Sequence, residues 1–328
     1  MSTYPYGGFV SSTYLPISTG EVLDKLWKTL RSNWKMYLWL GSPLAAAGIL
    51  FLALYVGALF ASGIFPVHPG VMPNFQAIFW VYGAMLVGSI PNLFIFALYQ
   101  AATAHATLSK ASGQEATVRE AYAAAWHKAG RNCWLMILQY IWVAGPMVLL
   151  ILLAAGLMGL LQFAFHPNPA MLFVTIPLFF LLYMGAMGYA LWMLLRLGLA
   201  FSAAVAEDLP AVAALKRSSQ LSNGVKGKLF LVMLVAFAIG YGVVFVMEMV
   251  IFGIVGLGVV VFQLLHLSMA VGIVLGAVAV LVFLAFMLTY TALAWAAHSI
   301  CFTIVYCDQR WRLDGAASAS AAGGIVPA

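Results

Sequence analysis

The stretch LFLVMLVAFAIGYGVVFVMEMVIFGIVGLGVVVF (229–262) decides the fold class. Its 34 residues carry one charged side chain, Glu248. A helix rises about 1.5 Å per residue, and about 20 mostly apolar residues cross the hydrocarbon of a bilayer. Five more stretches read the same way, at 37–61, 76–106, 134–163, 171–205 and 269–303. The expectation is an all-α transmembrane protein with six transmembrane helices. Spans longer than the minimum tilt, kink or project from the bilayer, and Pro43, Pro91 and Pro146 mark kink positions.

Composition supports this. The chain is 65% hydrophobic and 7% charged, whereas a soluble domain carries about 25% charged residues. Too few charges exist to cover a surface in water. The net charge of +6 therefore reads as topology and contact with anionic head groups, not as nucleic-acid binding.

The basic residues cluster in alternate connections. Lys25, Lys28, Arg31 and Lys35 precede the first span. Lys110, Arg119, Lys128 and Arg131 follow the second, Lys216, Arg217, Lys226 and Lys228 the fourth, and Arg310 and Arg312 the sixth. The connections near 62–75, 164–170 and 263–268 contain no Lys or Arg. The positive-inside rule places the basic side, and both termini, in the cytoplasm. Residues 1–17 are expected to be a flexible segment without a cleavable signal, 18–313 a single membrane domain, and 314–328 a disordered tail. Cys133, Cys301 and Cys307 lack metal-ligand spacing and read as reduced structural thiols.

The cytoplasmic segments resemble one another. Ser18, Thr117 and Asp208 are N-cap candidates, and Ser18 and Thr117 each have Glu three residues on, at Glu21 and Glu120. That is a capping box. Pro210 gives the third segment a start signal in its first turn. Fifteen residues after each cap stands Asn, at Asn33, Asn132 and Asn223. In the first segment Leu23, Trp27, Leu30 and Trp34 share a helical face, with charges elsewhere around the axis. A short basic amphipathic helix leading into a span lies in the interface. The chain thus reads as three repeated units, each an interfacial amphipathic helix plus a helical hairpin, at about 18–108, 117–206 and 208–306.

Glu248 is an intramembrane carboxylate and a candidate functional residue; it would be protonated, face a cavity, or reach the outer interface. Arg196, inside span four, is either part of a pathway or an anchor that snorkels to the interface, where Glu207 or a head-group phosphate is an easier partner than Glu248. Glu207 is the third candidate. Lys28, Arg31, Lys128, Arg131, Lys216, Arg217, Arg310 and Arg312 are candidates for contact with lipid head groups or a partner. His68, His166 and His266 fall one in each outer connection, and three unrelated interfacial histidines outweigh a metal site, since no carboxylate ligand accompanies them. Pro91 and Asn92 offer a break in span two that would expose carbonyls to a cavity, but these polar positions, with Gln100, Gln139 and Tyr140, read first as ordinary interhelical hydrogen-bonding groups.

The run LGLAFSAAVAEDLPAVAALKRSSQLSNGVKGKLFLVML (197–234) and the close IVYCDQRWRLDG (304–315) carry a resemblance. They look like segments of a prokaryotic family named after the membrane domain of glycerophosphoryl diester phosphodiesterases. The matching positions are Glu207, the run Ala214 to Ser218, then Tyr306, Asp308, Arg310 and Arg312; Cys307 departs where a second aromatic is usual. The opening STGEVLDKLWKTLRSNWK (18–35) also fits. The resemblance implies six spans and, with the charge bias, a bacterial inner membrane. It implies no phosphodiesterase activity, which belongs to a separate soluble barrel.

Phosphate-loop, HExxH and GxSxG motifs are absent from the chain. The expectation is a non-enzymatic scaffold or accessory protein, without a cofactor, contacting anionic lipids or a membrane or cytoplasmic protein partner. The alternative is a permease or lipid-handling transporter with a cavity near Glu248 and Arg196.

Overall fold

A computed structural model describes residues 17–61, 75–165, 169–264 and 269–321. Among these residues it holds ten helices and no strand: α1 (Thr19–Ser32), α2 (Trp34–Ala61), α3 (Phe75–Ala111), α4 (Val118–His127), α5 (Ala129–Phe165), α6 (Pro169–Leu197), α7 (Ala200–Ala206), α8 (Ala211–Leu221), α9 (Lys226–Leu264) and α10 (Met269–Ala321).

Six helical stretches are long and apolar enough to cross a membrane: Trp34–Ala61, Phe79–Ala111, Ala129–Ala154, Thr175–Ala206, Lys226–Gly258 and Val274–Asp314. Each overlaps one span expected from the sequence. Phe79, Leu86, Val87 and Ile90 on α3 are 65–69% exposed. An apolar surface of that kind belongs in lipid, so the protein is membrane-embedded.

Pro43, Pro91, Pro146 and Pro177 lie inside continuous helices. Span two is not broken at Pro91 and Asn92: α3 runs through both. In hydrocarbon no water replaces a lost backbone hydrogen bond, so the surrounding turns stay helical. Residues 314–321, placed by the sequence in a disordered tail, are helical, since α10 continues to Ala321. Its last turns are rich in alanine, the best helix former, and Asp314 is tied to Arg217. The segment 1–16 and the histidines at 68, 166 and 266 lie outside the described residues.

Two compact units divide the chain: Met1–His127 with Leu231–Ile304, and Lys128–Phe230 with Val305–Ala328. In the first, α1 packs on α2 and buries Val22 and Leu26. The stripe Leu23, Trp27, Leu30 and Trp34 is a different face, and Trp27 remains 61% exposed. The buried centre comes from the end of α3, where Ala97, Ala101, Ala102, Ala104 and Ala106 let neighbours approach closely. Tyr37 and Thr107 hydroxyls meet at 3.2 Å, and Tyr99 Oη donates to the Ala292 carbonyl at 3.3 Å. Tyr122 Oη donates to the carbonyl of Leu40. Gly41 faces Ala292 so closely that a Cβ there would stand 2.4 Å from the alanine Cβ.

The second unit builds on α5 and α6, with α7 and α8 packed against them at one end. α8 is amphipathic and buries Ala211, Ala214, Leu215, Ser218 and Leu221. That face meets protein, in contrast to the uncovered stripe of α1.

The expected capping boxes form at both Ser18 and Thr117. Ser18 Oγ accepts from the Glu21 amide at 3.2 Å, and Thr117 Oγ1 from the Glu120 amide at 3.2 Å. Each Glu carboxylate returns the bond to the cap amide. Asp208 does not cap. The N-cap of α8 is Pro210, extended at φ −65° and ψ 157°, and not a first-turn residue. Asp208 stands two residues earlier in the left-handed region, φ 52°, with its carboxylate drawn to α5. The Asn markers also diverge: Asn33 is the C-cap of α1, Asn132 is buried within α5, and Asn223 lies in the turn before α9.

Candidate functional site

Four carboxylates organise the packed end of the second unit, and Glu207 is the hub. It closes α7 as its C-cap. Arg217, one turn from the end of α8, donates from Nε to both Glu207 oxygens at 3.1 Å. The Nη2 of the same guanidinium donates to Asp314 at 2.8 and 2.9 Å. From α10, Tyr306 Oη donates to Glu207 Oε1 at 2.7 Å. Arg310 Nε lies 3.9 Å from Glu207 and 3.5 Å from Asp314. Burial opposes the Arg217 charge, but Asp314 and Glu207 outweigh it and raise its pKa above the ordinary value.

A second pair lies beside it. Lys228, in the first turn of α9, reaches the fully buried Asp308 at 3.1 Å. Gln309 donates to the same carboxylate at 3.0 Å. A buried charge is tolerable only when paired and hydrogen-bonded, and Asp308 is both.

The third cluster clamps the turn between α7 and α8. Asp208 accepts from Lys128 and, at 2.7 Å, from Arg131 Nη1. The hydrogen bond from Lys128 holds the Asp208 pKa below the usual carboxylate value; slight burial opposes this, and the Lys128 and Arg131 charges add to it. A depressed folded pKa contributes stability that is complete above the unfolded value, about 3.9, and is lost as pH falls through the folded one. Asp208→Asn retains a residue that tolerates positive φ. It should melt below wild type at pH 7, and the two melting curves should converge below about pH 4. A constant gap down to pH 3 would mean that charge is not what Asp208 supplies.

Breaks in the helices create acceptors, and side chains fill them. α6 stops at Leu197, leaving end carbonyls without helical donors. Ser218 Oγ donates to the Arg196 carbonyl at 2.9 Å and Gln139 Nε2 to that of Leu197 at 2.8 Å. The Arg196 side chain points elsewhere: Nε donates to Ser219 Oγ at 2.7 Å, and its guanidinium lies 5.4 Å from the Trp192 ring centre. Glu207 is therefore not the partner of Arg196, because Arg217 and Tyr306 occupy it. Lys128, Arg131, Arg217 and Arg310, expected to face head groups, are engaged by carboxylates of the protein itself.

Of the other expected contacts, Lys28 pairs with Asp24 on the exposed side of α1, while Arg31, Lys216 and Arg312 are exposed. Glu248 sits half-buried in α9 of the first unit. Arg196 and Glu207 belong to the second unit. Cys133, Cys301 and Cys307 form no disulfide among the described residues.

Sequence reading missed the pairing of Arg217 with Asp314 and the place of Lys226 beside Trp192. The signal for the first was weak, because the two residues are 97 positions apart. The second had no local signal, because Lys226 lies on another helix; only Arg196, at i,i+4 spacing from Trp192, was placed on the same face by sequence. No family model, curated protein or solved structure matches the chain, so the family resemblance rests on the short motifs alone.

Proposed function

We propose that this is a non-enzymatic scaffold or accessory protein of a bacterial inner membrane, with cytoplasmic termini, whose basic end holds anionic lipid head groups or a membrane or cytoplasmic partner. The observation that carries this reading is the double-faced α1. Val22 and Leu26 are buried, while Trp27, and Trp34 where α2 begins, remain 61% and 46% exposed beside Lys28, Arg31 and Lys35. An uncovered indole stripe flanked by lysines and arginines suits the head-group region. The saturated ion pairs around Glu207 favour a rigid platform over a site that exchanges protons. Purification in mild detergent, followed by lipid and protein mass spectrometry, should recover anionic phospholipid or one reproducible partner above the background of an unrelated six-span protein. Recovery of neither would remove the reading.

One observation favours transport as the second reading. Glu248 has no hydrogen-bond or ion-pair partner among the described residues, and a carboxylate at that depth is costly unless it serves a pathway. Proton flux into liposomes, compared for wild type, Glu248→Gln and Arg196→Ala, decides this. Equal flux in all three would exclude both residues from any mechanism.

A further inference from the structure

The second unit contains nine basic residues and four carboxylates, so five of the chain's six net positive charges belong to it. All four carboxylates are engaged: Glu207 and Asp314 by Arg217 and Arg310, Asp208 by Lys128 and Arg131, Asp308 by Lys228. Arg196, Lys216, Lys226 and Arg312 have no carboxylate within ion-pair distance among the described residues. Two of these four converge on one aromatic ring. The Arg196 guanidinium lies 5.4 Å and the Lys226 ammonium 5.2 Å from the centre of Trp192.

Each cation is held in place without being neutralised. Arg196 uses Nε on Ser219, which leaves the terminal nitrogens as donors to a ligand. Lys226 is the first residue of α9, whose first turn contains no acidic residue. A cation there faces the positive end of the helix dipole, an arrangement that repels positive charge and favours an anion. Two like charges gathered at one ring also repel each other, and cation–π attraction offsets only part of that. A bound anion removes both penalties. Lys228, two residues on, has its compensating charge in Asp308; Lys226 has none.

The ring indicates what else the ligand carries. Trp192 is 43% exposed and stands close to the end of α6 at Leu197, beside Lys226 at the start of α9. An exposed indole at a helix end, with two cations beside it, suits the level where acyl chain gives way to head group. We propose that Trp192, Arg196 and Lys226 form a binding site for a phosphate group, that of an anionic phospholipid, with the indole against its glycerol and upper acyl chain. Ser219 is a positioning residue that holds the guanidinium. The site rests on the head-group reading above and locates it.

Native mass spectrometry of the full-length protein in detergent, titrated with phosphatidylglycerol, phosphatidylcholine or inorganic phosphate, tests this. Wild type should retain phosphatidylglycerol in preference to phosphatidylcholine. R196Q/K226Q should lose about thirtyfold in that affinity. K216Q/R312Q removes the same charge from the other two unpaired cations and should stay within about twofold of wild type. K226Q alone changes one helix-terminal side chain, and it should still lose about fivefold if the double variant does not fold. Phosphatidylglycerol preference that survives R196Q/K226Q or K226Q, or that falls equally in K216Q/R312Q, would overturn the site and leave the head-group reading standing. Wild type showing neither that preference nor phosphate binding would overturn both. Inorganic phosphate binding lost in R196Q/K226Q, without lipid preference, would support the phosphate site and overturn its lipid source.

Discussion

Arg217→Ala should lower the thermal unfolding midpoint in detergent by roughly 5–10 °C, a loss of about 3 kcal/mol. The side chains of Arg217 and Glu207 are only 21% and 14% exposed, so water cannot replace what the guanidinium provides. Its removal strips Glu207 of two hydrogen bonds and Asp314 of two more. Two carboxylates then share Arg310, which stands farther from both. Glu207→Gln should cost less, because Tyr306 retains an acceptor and one negative charge disappears. The double variant should recover part of the single Arg217→Ala loss, since the stranded carboxylate is gone. A midpoint for Arg217→Ala within about 2 °C of wild type would show that Arg310 alone suffices to hold these helix ends.

The second large effect concerns shape. Gly41→Leu should destabilise by about 3 kcal/mol or prevent folding, and Gly41→Ala by about 1–3 kcal/mol. A Cβ at position 41 meets Ala292 Cβ at 2.4 Å and Ala292 Cα at 2.8 Å. The second of these is backbone, so relief requires the two helices to part. Parting them also strains the bond from Tyr99 to the Ala292 carbonyl. Gly48 and Gly57 lie on the same helix with nothing within 4 Å of an added Cβ. Alanine at either should be neutral or slightly stabilising, because alanine favours helix over glycine. Ala292→Gly should rescue Gly41→Ala in part. Fluorescence-detected size exclusion after a temperature ramp reads all five variants, and equal profiles for Gly41→Ala and Gly48→Ala would refute the close crossing.

Some features were legible because they are local or one-dimensional. A run such as 229–262 has one stable conformation in hydrocarbon whatever its neighbours do. The boxes at Ser18 and Thr117 need only residues three apart. The third start signal failed because Asp208 had a competing use: Lys128 and Arg131, distant in sequence, draw its carboxylate away. Arg196 was readable as a cation inside span four, but its partner was not, since Glu207 was already taken by groups 10 and 99 positions away.

The six long apolar helices of the opening reading, and their basic ends, were determined by the sequence alone, because length, hydropathy and charge bias act along the chain. Which cations are neutralised, which stay open beside Trp192, and which face of α1 meets protein were decided only by the tertiary structure. Those depend on pairings between distant residues, and no spacing rule specifies which carboxylate a guanidinium reaches once the chain has packed.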